Sequence, residues 1–156
     1  MSWTITATPF DHPDADRLRR AQRVELDARY GSDDHEPGTP PSAVDVPVFL
    51  VARADDGRAI ACGGLRPLAD TVLGPATVEV KRMSVAPDAR GSGGAVAVLR
   101  ALEDAARDLG TRRIVLETGI LQPDAIRFYE REGYESIPLF GPYVGSAESV
   151  CFAREL

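Results

Sequence analysis

The 156-residue chain is 44% hydrophobic and carries a formal net charge of −6, which suits one compact core and argues against general binding to nucleic acid or anionic lipid, since both need a basic face. Its two cysteines, Cys62 and Cys151, each lie in an apolar stretch, so two core thiols are expected rather than a disulfide framework or a cysteine-rich metal site. The start MSWTITATPF lacks the pattern of a secretory leader and no run approaches the ~20 apolar residues of a membrane span, so a cytoplasmic protein is expected.

Trp3 to Thr8 alternate apolar and polar residues in the manner of a short strand, and Pro13 then stands where a first helical turn accepts it. Leu18, Ala21, Val24 and Ala28 recur at helical spacing, and Gly31 supplies a stop, so a helix from about Pro13 to Tyr30 is predicted to pack on a sheet. Residues 31–47 are rich in proline, glycine and aspartate and read as a mobile cover, either closing over an acceptor molecule or serving as a solvated connection. His35 within it is expected to be exposed. Neither His12 nor His35 has a partner at catalytic or metal-ligand spacing, and no metal is expected.

Two β-rich segments follow in VFLVARADDGRAIACGGLRPL, joined at the Asp56-Gly57 hairpin signal, and a third strand is predicted over about Ala76 to Val85. Beyond a glycine-rich turn, Ala95, Val98, Leu99, Leu102, Ala106 and Leu109 form a helical stripe that stops at Gly110. Ile114 to Glu117 form a further strand, a short helix opens with Pro123 and closes at Gly133, and Ser149 to Arg154 form a last strand. No internal repeat interrupts this order, so the whole chain, 1–156, reads as a single mixed α/β domain.

The sharpest local signal is Arg90-Gly91-Ser92-Gly93-Gly94-Ala95, placed after a strand and before an amphipathic helix. Backbone N–H groups at a helix start are unpaired and carry partial positive charge, and small residues let an anion approach them; Arg90 adds a full charge at the entrance. A Walker loop does not fit, because the only lysine, Lys81, precedes the glycines. A dinucleotide fingerprint begins correctly at Gly91-Ser92-Gly93 and finds an acid in Glu117, but Val96 occupies the third glycine position. Without a ligand, the same glycines are simply a tight strand-to-helix turn.

Arg90, Gly93 and Ala95 resemble the acetyl-CoA-binding motif of the GNAT superfamily of N-acetyltransferases: Arg or Gln, two residues, Gly, one residue, Gly or Ala. The stretch VEVKRMSVAPDARGSGGAVAVLRALEDAARDLG is similar to that family's strand, pyrophosphate loop and helix, and ETGILQPDAIRFYEREGYESI to its following strand, helix and closing strand. The resemblance runs from about Phe49 onward. It implies a mostly antiparallel central sheet splayed at two parallel strands, with acetyl-CoA as acyl donor bound by Arg90, Gly91, Ser92, Gly93, Gly94 and Ala95 and by the backbone of Met83 and Val85. Ser84 is a neighbour without an assigned role.

Direct transfer in a ternary complex needs a neutral amine, a polarised thioester carbonyl and a proton for the leaving thiolate. Glu79, on the strand before the loop, is the candidate base, directly or through water, and the resemblance supports it; the alternative is a paired carboxylate at the sheet surface. Tyr129 matches the family's usual tyrosine as proton donor, and the alternative is a core side chain. Where many members carry an asparagine, Gln122-Pro123-Asp124 stands here, so that contact is not carried over. Phe140 to Tyr143 and Ser149 to Phe152 are candidate lining of an acceptor pocket. The expected acceptor is a small-molecule amine or amino acid, with a protein amine, a non-catalytic acyl-CoA sensor and a homodimer left open.

Overall fold

The computed structural model describes residues 2–33, 37–68, 73 and 76–156. Its seven strands are β1 (Thr4–Ala7), β2 (Val48–Arg53), β3 (Ala59–Leu68), β4 (Thr77–Val85), β5 (Arg113–Gly119), β6 (Glu135–Ile137) and β7 (Ser149–Glu155). They form one sheet in the order β1-β2-β3-β4-β5-β7-β6, in which β4 and β5 are the parallel pair and all other neighbours are antiparallel. Three α-helices, α1 (Pro13–Tyr30), α2 (Gly94–Asp108) and α3 (Pro123–Arg131), complete the described residues.

Period-two alternation sorts the side chains onto two faces. Leu50, Ala52, Ile60, Val78, Val80, Ile114 and Leu116 meet Val98, Leu99, Leu102 and Ala106 of α2 and Tyr129 of α3. The intervening residues Phe49, Val51 and Cys62 meet Ala15 and Leu18 of α1, while Val115 packs with Phe140 and Tyr143. Cys62 and Cys151 are both buried and free. The mixed α/β fold with a mostly antiparallel sheet is therefore the one expected.

The helix ends follow local rules. His12 caps α1 by accepting the Asp14 amide at Nδ1 (3.1 Å), Pro13 fills the first turn, and Gly31 closes the helix at φ 75°. The β2–β3 turn is closed by Gly57 donating to the Ala54 carbonyl, with Gly57 at φ 83° as the hairpin chemistry requires. Among the described residues no helix is long and apolar enough to cross a membrane.

The segment read as a cover divides. His35 lies outside the described residues, while residues 37–47 are tied to the sheet: Arg66 of β3 donates to the Thr39 carbonyl (3.1 Å) and to Asp45 (3.4 Å). Val46 is buried against Phe49. This part is a pinned connection, because Arg66 and the apolar Val46 anchor it at two points.

Candidate active site

The site begins where the parallel pair ends. β4 and β5 are in register only from Thr77–Arg113 to Glu79–Val115. On its other edge β4 slips register, from Cys62–Ser84 to Gly64–Lys81, so Gly63 faces two residues of β4. Arg82, within that bulge, adopts a left-handed φ of 57°. An added Cβ at Gly63 would lie 2.9 Å from both Met83 Sδ and Leu102 Cδ1, so glycine lets β4 bend over α2. A bulge re-aims the strand after it, and here β4 turns away from β5 above the Glu79–Val115 rung.

One cavity, of about 600 Å³, occupies the groove that this bend leaves beside the α2 N-terminus. Met83, Ser84 and Val85 form one wall, and Arg90, Gly91, Gly93, Gly94 and Ala95 form its end. Gly91 and Gly93 hold φ of 76° and 91°, a backbone open to glycine at little cost. An added Cβ at Gly94 would lie 2.6 Å from Ile60 Cδ1, so glycine seats the start of α2 directly on β3. No side chain caps α2 and no acidic residue stands in its first turn. The amides and positive dipole end of α2 thus face the groove with no carboxylate of their own, which fits a diphosphate.

Ser92 is the one predicted donor-binding residue outside this wall; its hydroxyl turns back to donate to the Ala89 carbonyl. Opposite the loop, α1 presents Glu25, whose Oε2 pairs with Arg90 (2.5 Å) and whose Oε1 pairs with Arg29 (3.3 Å). Arg131 of α3 adds a third guanidinium to the groove.

A second, smaller cavity of about 100 Å³ lies in the fork itself. Its walls include the consecutive residues Val80, Lys81, Arg82 and Met83 of β4 and Leu116, Glu117, Thr118 and Gly119 of β5. Neighbouring strand residues point to opposite faces, so the cavity passes through the sheet. Gln22, Met83, Gln122 and Tyr129 line both cavities and join them. The Gln22 side chain donates from Nε2 to the Met83 carbonyl at 2.7 Å. Tyr30, at the end of α1, lies against Gly119, where an added Cβ would fall 1.5 Å from the phenol oxygen.

Tyr129 is 6% exposed, packed edge-on to Phe128 and Tyr134, and burial alone raises its phenol above the usual range. Its phenolate form is therefore strongly disfavoured. It is a core aromatic that also lines both cavities.

Glu79 is placed differently. It sits on the last paired rung of the fork and lines neither cavity. Arg66 donates to Oε1 (3.1 Å), Tyr143 donates to Oε2 (2.6 Å), and Lys81 lies 3.7 Å from Oε2 while donating to the Tyr143 hydroxyl at 3.0 Å. Only Lys81 of this group reaches the fork cavity. Glu79 is paired, as the alternative had it, but it is buried on a central strand rather than at the sheet surface or edge.

The carboxylate that does enter the fork is Glu117. Ser149 donates to its Oε2 at 2.6 Å, and the Ser146 and Ser149 hydroxyls are 2.8 Å apart. Sequence reading met Glu117 only as a ribose-binding candidate. The signal for its actual place was a charge ending an otherwise apolar strand, which burial alone does not favour. Glu148 stands beside it, its carbonyl accepting the Ile120 amide at 2.9 Å.

The family model for the Acetyltransferase (GNAT) family matches residues 12–134. An IAA acetyltransferase of Azospirillum brasilense is 41% identical over 95 residues, covering 61% of this chain and 59% of that protein. The chain thus spans about three fifths of that relative's length. Among solved structures, one from Klebsiella pneumoniae subsp. pneumoniae MGH 78578, assigned to the acyl-CoA N-acyltransferases, superposes with a TM-score of 0.80 at 30% identity, covering 99% of this chain and 97% of the other. A GNAT family acetyltransferase from Elizabethkingia anophelis with acetyl-CoA bound shares the fold at a TM-score of 0.69 and 16% identity, covering 99% and 98% of the two chains. With a splayed parallel pair, a glycine loop at an uncapped helix start and these relatives, the chain belongs to the GNAT acetyltransferase family.

Proposed function

We propose that the chain is an N-acetyltransferase that moves the acetyl group of acetyl-CoA to a primary amine of a small molecule or amino acid, directly and within a ternary complex. The reading treats residues 1–156 as one domain acting in the cytoplasm. Both described cavities are built from a single chain, so a homodimer is compatible with it and not needed to complete the site. The observation that carries it is the meeting of the two cavities at Tyr129, one suited to a diphosphate and the other to an amine.

In this reading the diphosphate lies on the first turn of α2, with Arg90 exchanging Glu25 for a phosphate. The pantetheine arm follows Met83 to Val85 into the fork, where a backbone N–H of the bent strand polarises the thioester carbonyl. Tyr129 supplies the proton that the departing thiolate needs. Because burial keeps this phenol protonated, its transfer goes together with the breaking of the C–S bond rather than before it.

Isothermal titration with acetyl-CoA beside NAD, followed by thiol release over a panel of amines, tests the proposal. Acetyl-CoA binding with thiol release is the expected result. Binding without release to any amine would leave an acyl-CoA sensor in its place, and absence of binding would overturn the reading of Arg90 to Ala95.

A further inference from the structure

We infer that Glu117 is the catalytic carboxylate that binds the acceptor's ammonium group and takes its proton; the inference rests on the transferase reading above. Three observations carry it. Glu117 lies on β5 beyond the last rung shared with β4, in the wall of the fork cavity that also contains Tyr129. A nitrogen placed between them shares one small space with the phenol that protonates the leaving thiolate. Next, the carboxylate is oriented: buried Ser149, on the neighbouring strand, donates to Oε2 at 2.6 Å and is itself backed by Ser146. Finally, Glu79, the fully buried carboxylate near the fork, has each oxygen bonded to a side chain of the adjacent network and lines neither cavity.

The charges around Glu117 come from every element that faces it. Lys81 and Arg82 approach from β4, Glu148 and Ser149 from the start of β7, Tyr30 from α1 and Tyr129 from α3. The Cys151 thiol faces Glu117 from β7, and burial raises that thiol to about 11, with the neighbouring carboxylate a smaller cause in the same direction. Glu148 adds a second acidic residue to the lining of the same cavity.

The step balances as follows. One ammonium proton passes to a Glu117 oxygen, and the freed lone pair forms the N–C bond to the thioester carbonyl carbon. As the tetrahedral adduct collapses, the C–S bond breaks with its electron pair on sulfur, and the thiolate takes the Tyr129 proton. The second proton, still on the new amide nitrogen, returns to the Tyr129 oxygen, and Glu117 gives the first to solvent.

Glu117→Gln is the test, assayed with acetyl-CoA and two acceptors: the panel amine that releases most thiol, and hydroxylamine, whose nitrogen is already neutral at pH 7. For the basic amine, kcat/KM is expected to fall about 100-fold and the rate to follow the amine's own ionisation, whereas the parent enzyme is expected to keep its rate at pH values where the free amine is an ammonium ion. With hydroxylamine the loss is expected to be under about tenfold, and acetyl-CoA affinity by calorimetry to stay within about twofold, showing the variant folded. Equal losses for both acceptors, or an unchanged pH profile, would overturn the assignment of Glu117 while leaving the transferase intact. A parent enzyme that binds acetyl-CoA but releases thiol to no amine would instead remove the transferase reading, and this inference with it.

Discussion

Tyr129 and Glu79 show how much one side chain's surroundings decide. Both were singled out for proton transfer, and both are buried. Tyr129 reaches the site because α3 lays it across the sheet face at the fork, where Val80 and Leu116 also line the cavity. Tyr129→Phe keeps the ring packing and removes the proton, so turnover should fall about 100-fold with little change in acetyl-CoA affinity; steady-state rates beside calorimetry check this, and unchanged turnover would remove Tyr129 from the mechanism. Glu79 is bonded to Arg66 and Tyr143, with Lys81 close by. Glu79→Ala leaves those partners buried without their anion, and a loss of about 3 kcal/mol in urea unfolding is expected. The glycine loop before α2 was legible because such a loop uses main-chain geometry that local sequence sets. The place of Glu117 in the fork wall was not, since it depends on the parting of two strands far apart in sequence.

At the scale of elements, the site is assembled from the ends of α1, α2, β4 and β5. The α2 N-terminus supplies amides and dipole, and Arg90 the full charge, which Glu25 of α1 holds at 2.5 Å. Arg90→Ala should weaken acetyl-CoA binding by about tenfold, the worth of one charge-assisted contact, and the deficit should shrink as salt is raised in the titration. The close of α1 matters for the other substrate. Tyr30 occupies the space over Gly119 in the fork wall. Gly119→Ala must displace that ring, so KM for the acceptor should rise severalfold while acetyl-CoA affinity is kept; equal effects on both ligands would show that the damage is not local. Strand and helix positions were readable from alternation, caps and turn residues. The bulge at Arg82 was not, because its left-handed φ follows from Gly63 opposite it and the packing of Met83 on α2.

Across the whole molecule, the two thiols report on the core. Burial raises Cys62 from 9.0 to about 12, and burial also lifts the Tyr129 and Tyr134 phenols above their usual range. The unfolded thiol ionises first, so the stability tied to Cys62 is complete below pH 9 and is lost as pH rises toward about 12. Urea midpoints followed across that window should decline less in Cys62→Ala than in the parent, by up to about 4 kcal/mol at the alkaline end. The sequence by itself determined the strand and helix order, the net negative charge, the core thiols and the glycine turn before α2, since each rests on composition or on geometry within a few residues. Only the tertiary structure decided which acids line the fork. The fork opens where β4 bends away from β5, and that non-local event buries Glu79 below the opening and leaves Glu117 half-buried in its wall.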